Sequence, residues 1–100
     1  MSDVGACRID VWLWRARFFK TRTLAASFVE EGRVRLSRAG GETRIDKPSR
    51  NVKIGEGIVF AVDGKVVAVR IEALGDRRGP PAEARRLYSS LGESLTPPAD

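Results

Sequence analysis

The chain has 100 residues, with 18 lysines and arginines against 13 aspartates and glutamates, for a net charge of +5. That length suits one domain with one modest core, and that charge balance points to a polyanionic partner, nucleic acid before membrane. No histidine and a single cysteine, Cys7, leave no intrachain disulfide, no zinc cluster and no imidazole base, and no apolar run approaches the roughly 20 residues of a membrane span.

Residues 1–7 read as a flexible tail without the apolar core of a signal peptide, so the expected location is cytoplasmic. From Ile9 the spacing turns helical: Ile9, Trp12, Leu13 and Ala16 share one face, which predicts a helix to about Phe18. Residues 19–21 form a tight connection, and Thr21 is placed to cap a second helix whose buried stripe is Leu24, Ala25, Phe28 and Val29. Gly32 ends it. Two short helices joined this closely resemble a helix-turn-helix unit.

After Gly32 the period becomes two. Arg33-Val34-Arg35-Leu36 predicts a half-buried strand, followed by a long polar loop over 37–47 and a turn at Pro48-Ser49. Val52 and Ile54 suggest a short extended piece. Residues 58–62 and 65–74 read as two strands joined at Asp63-Gly64, a strong two-residue hairpin signal. Residues 76–81 form a basic loop with Arg77 and Arg78, and Pro81 opens a third helix with Ala84, Leu87, Tyr88 and Leu91 on its apolar side. Residues 92–100 are expected to be disordered. The fold class is therefore α+β: two N-terminal helices packed on a small, mostly antiparallel sheet, plus a C-terminal helix.

The cations are unevenly spread. From Arg15 to Thr23 there are four basic residues and no acidic one. Lys20 and Arg22 flank the N-terminus of the second helix, where unpaired N–H groups and the helix dipole favour phosphate and Thr21 adds a hydroxyl. Arg33 and Arg35 leave the first strand on its polar face, and Lys47, Arg50 and Lys53 follow the loop. The expectation is that these cations converge on one exposed surface. Trp12 is assigned to the core. Trp14, Phe18 and Phe19 are either packed or stacking platforms for bases, Phe19 being the one expected to be partly exposed.

Arg8-Ile9-Asp10, Trp12-Leu13-Trp14, Arg17-Phe18-Phe19-Lys20-Thr21-Arg22, Ala25 to Gly32-Arg33-Val34 and Lys47-Pro48-Ser49-Arg50 together resemble the ribosomal protein S4-like RNA-binding domain. With the paired tryptophans, Arg77-Arg78-Gly79-Pro80 and residues 82–88, the chain is similar to one bacterial branch, the small ribosome-associated heat-shock protein 15 family. The resemblance spans about residues 8–91, with the S4-like domain over 8–75 and the basic loop and helix over 76–91. It implies a helix-turn-helix face that holds structured RNA through phosphates and shape, with Arg8, Lys20, Thr21, Arg22, Lys47, Ser49 and Arg50 as contacts and Arg15 and Arg33 as weaker ones. It further implies large-subunit ribosomal RNA as partner, in handling stalled ribosomal particles. The sequence departs from the family at Ser37-Arg38-Ala39-Gly40-Gly41, which replaces a tight Asn-Gly turn, and at its closing Pro97-Pro98-Ala99-Asp100, where a long basic tail would add anchoring.

No catalytic residue, metal site, cofactor, small-molecule substrate or membrane partner is expected, and the sequence does not set the oligomeric state. Three alternatives stay open: a DNA-binding helix-turn-helix regulator, an RNA-modifying or tRNA-charging enzyme's appended module, and an adaptor that also contacts a protein through an edge strand.

Overall fold

A computed structural model describes residues 5–38 and 41–91; the segment read as a disordered tail, 92–100, lies outside the described residues. A short strand β1 (Cys7–Arg8) leads into helix α1 (Ile9–Arg15). α1 stops short of Phe18 because Arg17 turns left-handed, with φ of 68°. The Arg17 N–H then donates to the Trp14 carbonyl at 3.0 Å, and the Phe18 N–H reaches back to Leu13 at 3.1 Å. That pair of bonds is a Schellman ending with an arginine where glycine is usual. It swings Phe18 and Phe19 inward. Helix α2 (Arg22–Glu30) follows and ends at Gly32, with φ of 75°.

The chain then builds an antiparallel sheet from β2 (Val34–Arg38), β3 (Gly41–Ile45), β5 (Gly57–Val62), β6 (Lys65–Ile71) and β7 (Tyr88–Ser90), in the order β3-β2-β5-β6-β7. The intervening β4 (Asn51–Val52) pairs with β1 in a separate two-stranded ribbon. At the β5–β6 hairpin Asp63 and Gly64 both take positive φ, 53° and 77°, as a two-residue primed turn requires. Both helices lie on one face of the sheet. Ile9, Trp12, Leu13, Ala25, Phe28 and Val29 meet Val34, Leu36, Ile58, Phe60, Val69 and Ile71 there. Period-two alternation sends Arg35 and Val59 to the opposite face.

Other local expectations change as well, and Leu24, expected in the buried stripe of α2, is 51% exposed. Most of the predicted 37–47 loop is strand: β3 pairs with β2 from Val34↔Ile45 to Arg38↔Gly41. Its residues are polar and exposed except Ile45, so it is an edge strand with little apolar alternation to announce it. The third helix is one turn, α3 (Pro81–Ala84), continued by a 3-10 turn (Arg85–Leu87). Tyr88 then extends into β7, where it pairs with Ile71 and sets its ring 4.9 Å from Phe18; strand pairing and ring packing outweigh the helical spacing. Finally, β1 places Cys7 opposite Val52, so ordered pairing begins inside the stretch read as a tail.

Gly32 is tightly specified. Besides its positive φ, a Cβ there would lie 3.3 Å from the Arg44 Cδ. Gly32→Ala should lower unfolding stability by about 1–2 kcal/mol, measured by urea denaturation with the slope unchanged.

Candidate nucleic-acid interface

Thr21 caps α2 as its position predicts: its hydroxyl accepts from the Leu24 N–H at 3.0 Å. The hydroxyl proton is left to donate outward. The first intrahelical bond of α2 runs from the Ala25 N–H to the Thr21 carbonyl, so the N–H groups of Arg22 and Thr23 point out of the helix end. No acidic residue lies in that first turn. Lys20, Thr21 and Arg22 are all exposed, and among the described residues no side chain pairs with Lys20 or Arg22. An anion placed here meets backbone donors, a hydroxyl, two cations and the positive helix end together.

A second group forms at the start of α1. The Ile9 N–H donates to the Arg50 carbonyl at 2.8 Å and the Asp10 N–H to the Pro48 carbonyl at 3.3 Å. The turn 47–50, closed by Arg50 N–H to the Lys47 carbonyl at 2.9 Å, therefore supplies carbonyls to N–H groups that α1 cannot satisfy itself. Lys47 and Ser49 stay exposed on this turn and Arg50 half-exposed. Arg8 belongs to this group but is not unpaired. Its guanidinium forks onto the buried Asp10 carboxylate at 3.0 and 2.8 Å, which raises the Arg8 pKa. Its remaining N–H groups face out on a side chain that is 47% exposed. Burial pushes the Cys7 thiol, next to Arg8, above its ordinary value, against the opposing field of Arg15.

Other cations serve the fold. The Arg15 guanidinium turns inward to the Gly75 carbonyl at 2.7 Å and the Leu74 carbonyl at 3.4 Å. Arg17 Nε donates to Gly79 at 2.7 Å, and Arg78 returns to the carbonyls of Trp14 and Phe19 at 3.1 and 3.4 Å. Trp12 Nε1 donates to Ala73 at 3.0 Å. These bonds clamp the end of α1 to the 73–79 segment. Arg77 is forked onto Glu83. Arg15 is thus a latch, and the basic loop of 76–81 presents little unpaired charge.

Arg33 lies apart. It pairs with Glu31 at 3.1 Å and sits 4.5 Å over the Phe28 ring, beyond the C-terminal end of α2. The cations of 15–35 therefore do not form one surface. Lys20, Thr21 and Arg22 sit at the N-terminal end of α2, and Arg8, Lys47, Ser49 and Arg50 at the N-terminal end of α1, while Arg33 and Arg35 follow α2 at its other end. Phe18 and Phe19 are packed rather than presented: Phe18 contacts Phe60 at 5.3 Å and Phe19 contacts Phe28 at 4.9 Å, with both rings partly buried, whereas Trp14 is half-buried outside that core cluster.

A family model described as S4 domain matches residues 7–58, the stretch that carries the helix end, the 47–50 turn and the ribbon between them. The chain belongs to the S4 domain family. Heat shock protein 15 of Escherichia coli K12 is 35% identical over 88 residues, covering 88% of this chain and 62% of that protein. The RQC P-site tRNA stabilizing factor of Listeria innocua is 34% identical over 89 residues, with 89% and 90% covered. The trimeric structure of Vibrio cholerae Heat Shock Protein 15 aligns with a TM-score of 0.77 at 38% identity, over 91% of this chain and 87% of that one. Nothing in these matches supports the alternative of a DNA-binding regulator.

The S4 match ends at Ile58, yet the clamp that orients α1 comes from 73–79. In this S4 chain the basic residues thus divide into carbonyl-bound arginines, carboxylate-paired arginines and cations with no partner among the described residues. Arg15→Met and Arg78→Met should each cost about 1–2 kcal/mol of stability in urea, because both leave carbonyls without their charged donor. Lys20→Met and Arg22→Met should move it by less than about 0.5 kcal/mol. The Cys7 thiol should react with iodoacetamide at pH 8 more slowly than an unhindered cysteine, and faster once urea unfolds the chain.

Proposed function

We propose that this chain is a non-enzymatic, cytoplasmic module that grips structured RNA, with large-subunit ribosomal RNA as its partner, in a ribosome-associated stress or rescue role. The observation that carries the reading is the α2 end. Thr21, the outward N–H groups of Arg22 and Thr23, and the unpaired Lys20 and Arg22 converge there with no acid in the first turn. The 47–50 turn, with Lys47, Ser49 and Arg50, and the outer edge of Arg8 extend the surface along α1. Phosphates bridge such donors well, and shape rather than base edges sets the choice of RNA. The relatives add support: one is named for stabilising P-site tRNA and others as heat shock proteins.

Phosphate contacts make affinity fall with salt. With about six phosphates engaged, log Kd against log salt should have a slope of about 4–5 in magnitude. The Lys20→Ala, Arg22→Ala double variant should bind a ribosomal RNA fragment at least about tenfold more weakly, a loss of ~1.4 kcal/mol. Its slope should drop by about 1.4–1.8 and its melting temperature should stay unchanged. Salt-independent binding, or wild-type affinity in the double variant, would exclude this surface. In sucrose gradients of extract the chain should travel with the large subunit; migration with the small subunit or at the top would remove the proposed partner.

A further inference from the structure

The sheet face turned away from the helices carries an arrangement that folding does not explain. Arg35 and Arg44 stand directly opposite each other across β2 and β3, and both are exposed. Opposed like charges weaken a strand pair. Among the described residues neither guanidinium has an ion pair or hydrogen bond. Glu42, on the same face two residues from Arg44, makes no ion pair with it; among the described residues the ion pairs are Arg8–Asp10, Arg33–Glu31, Arg38–Glu56 and Arg77–Glu83. Gly32 leaves room for the Arg44 stem, which would meet a Cβ there. Beside the arginines runs a shallow trough lined by Arg33, Arg35, Val59, Ala61 and Val66. Val59 pairs with Arg35 across β2–β5, Ala61 pairs with Val66 across β5–β6, and Val66 is 69% exposed.

We infer that this outer face of β2, β3 and β5 is a second RNA-binding surface, which takes an unpaired stretch of RNA with its phosphates on Arg35 and Arg44 and its bases over the aliphatic floor. The inference rests on the RNA-binding reading above and extends it to a separate surface. The occupant follows from what the trough offers. The trough floor is β2 and β5, each paired on both sides, so a peptide could add a strand only at the outer edge of β3 and would leave the trough uncovered. A nucleic acid needs no such edge. It needs cations at phosphate positions and a flat surface for ring faces, and arginine forks hold phosphate oxygens in pairs. The nine residues of α2, about 13 Å of helix, and the thickness of the sheet separate this trough from the α2 N-terminus. Two RNA segments can therefore be held at once.

The test uses the full chain, a labelled oligouridylate of about 12 nucleotides and a folded ribosomal RNA fragment. The Arg35→Gln, Arg44→Gln variant should lose at least about tenfold in oligouridylate affinity, with the salt slope reduced by about 1.4. It should keep the fragment bound through Lys20 and Arg22. Its melting temperature should hold or rise, since a like-charge pair is removed; a purely structural role for these arginines would lower it. Wild-type oligouridylate affinity in this variant overturns the inference. So does unchanged oligouridylate binding combined with lost binding of a polyglutamate peptide, which would give the face to an acidic protein partner. If this variant loses oligouridylate while Lys20→Ala, Arg22→Ala keeps the fragment, the helix-end reading fails and the outer-face reading stands. Failure of the wild-type chain to bind either RNA removes both.

Discussion

Three guanidinium groups crossing between the end of α1 and the 74–79 segment set the geometry on which the basic surface depends. Arg15 and Arg17 donate from the helix side, Arg78 donates back, and every acceptor across this seam is a backbone carbonyl, with Arg15 also reaching the Cys7 sulfur. A charged donor on a carbonyl is among the stronger hydrogen bonds available to a protein. Here such bonds do what helix length cannot. α1 has only seven residues, too short to hold its own shape in water. Fixed at its C-terminal end by the clamp and at its N-terminal end by the 47–50 turn, it becomes a rigid post. The left-handed Arg17 then aims the connection so that Phe18 and Phe19 enter the core while Lys20 and Thr21 stay outside.

That arrangement sorts the cations by the state of their partners. Arg15, Arg17 and Arg78 are bound to carbonyls, and Arg8, Arg33, Arg38 and Arg77 to carboxylates. An exposed ion pair is worth little to stability, and a guanidinium already forked onto a carboxylate offers fewer donors to a phosphate. Net charge alone therefore overstates the binding surface. What remains at the N-terminal ends of α1 and α2 is the unpaired set of Lys20, Arg22, Lys47 and Arg50, together with backbone N–H groups at the start of α2 that carry no charge in the sequence count at all. A helix terminus contributes to anion binding through its geometry, and it is as much a part of the surface as the side chains.

Periodicity and turn chemistry made the core of this fold readable. Ile9, Trp12 and Leu13 announced α1, Thr21 and Gly32 bracketed α2, and Asp63-Gly64 placed the β5–β6 hairpin, because each rests on interactions within a few residues. The readings that changed depend on distant partners. β3 has one buried residue, Ile45, so its strand character comes from pairing with β2 rather than from its own pattern. Tyr88 fits a helical stripe equally well, and only its contact with Phe18 and the β6 edge makes it extended. Arg15 and Arg78 looked like surface cations because their carbonyl acceptors lie 59 to 64 residues away. Arg8 was visible as a candidate, yet Asp10, two residues on, carried the signal that it would be forked and half-held.

The unpaired cations can also be weighed against what folding requires. The core is closed by apolar and aromatic contacts, and the clamp satisfies the carbonyls around α1; neither uses Lys20, Arg22, Arg35 or Arg44. Folding alone would gain from an acid near the N-terminus of α2 and from opposite charges across β2 and β3. The sequence places a lysine and an arginine at the first position and two arginines at the second. Both choices cost stability in isolation, and both become favourable once an anion supplies the missing negative charge. Electrostatic frustration of this kind at two separate places, each solvent-open and each without an acidic neighbour in contact, is what the proposed RNA-binding role would require of the surface.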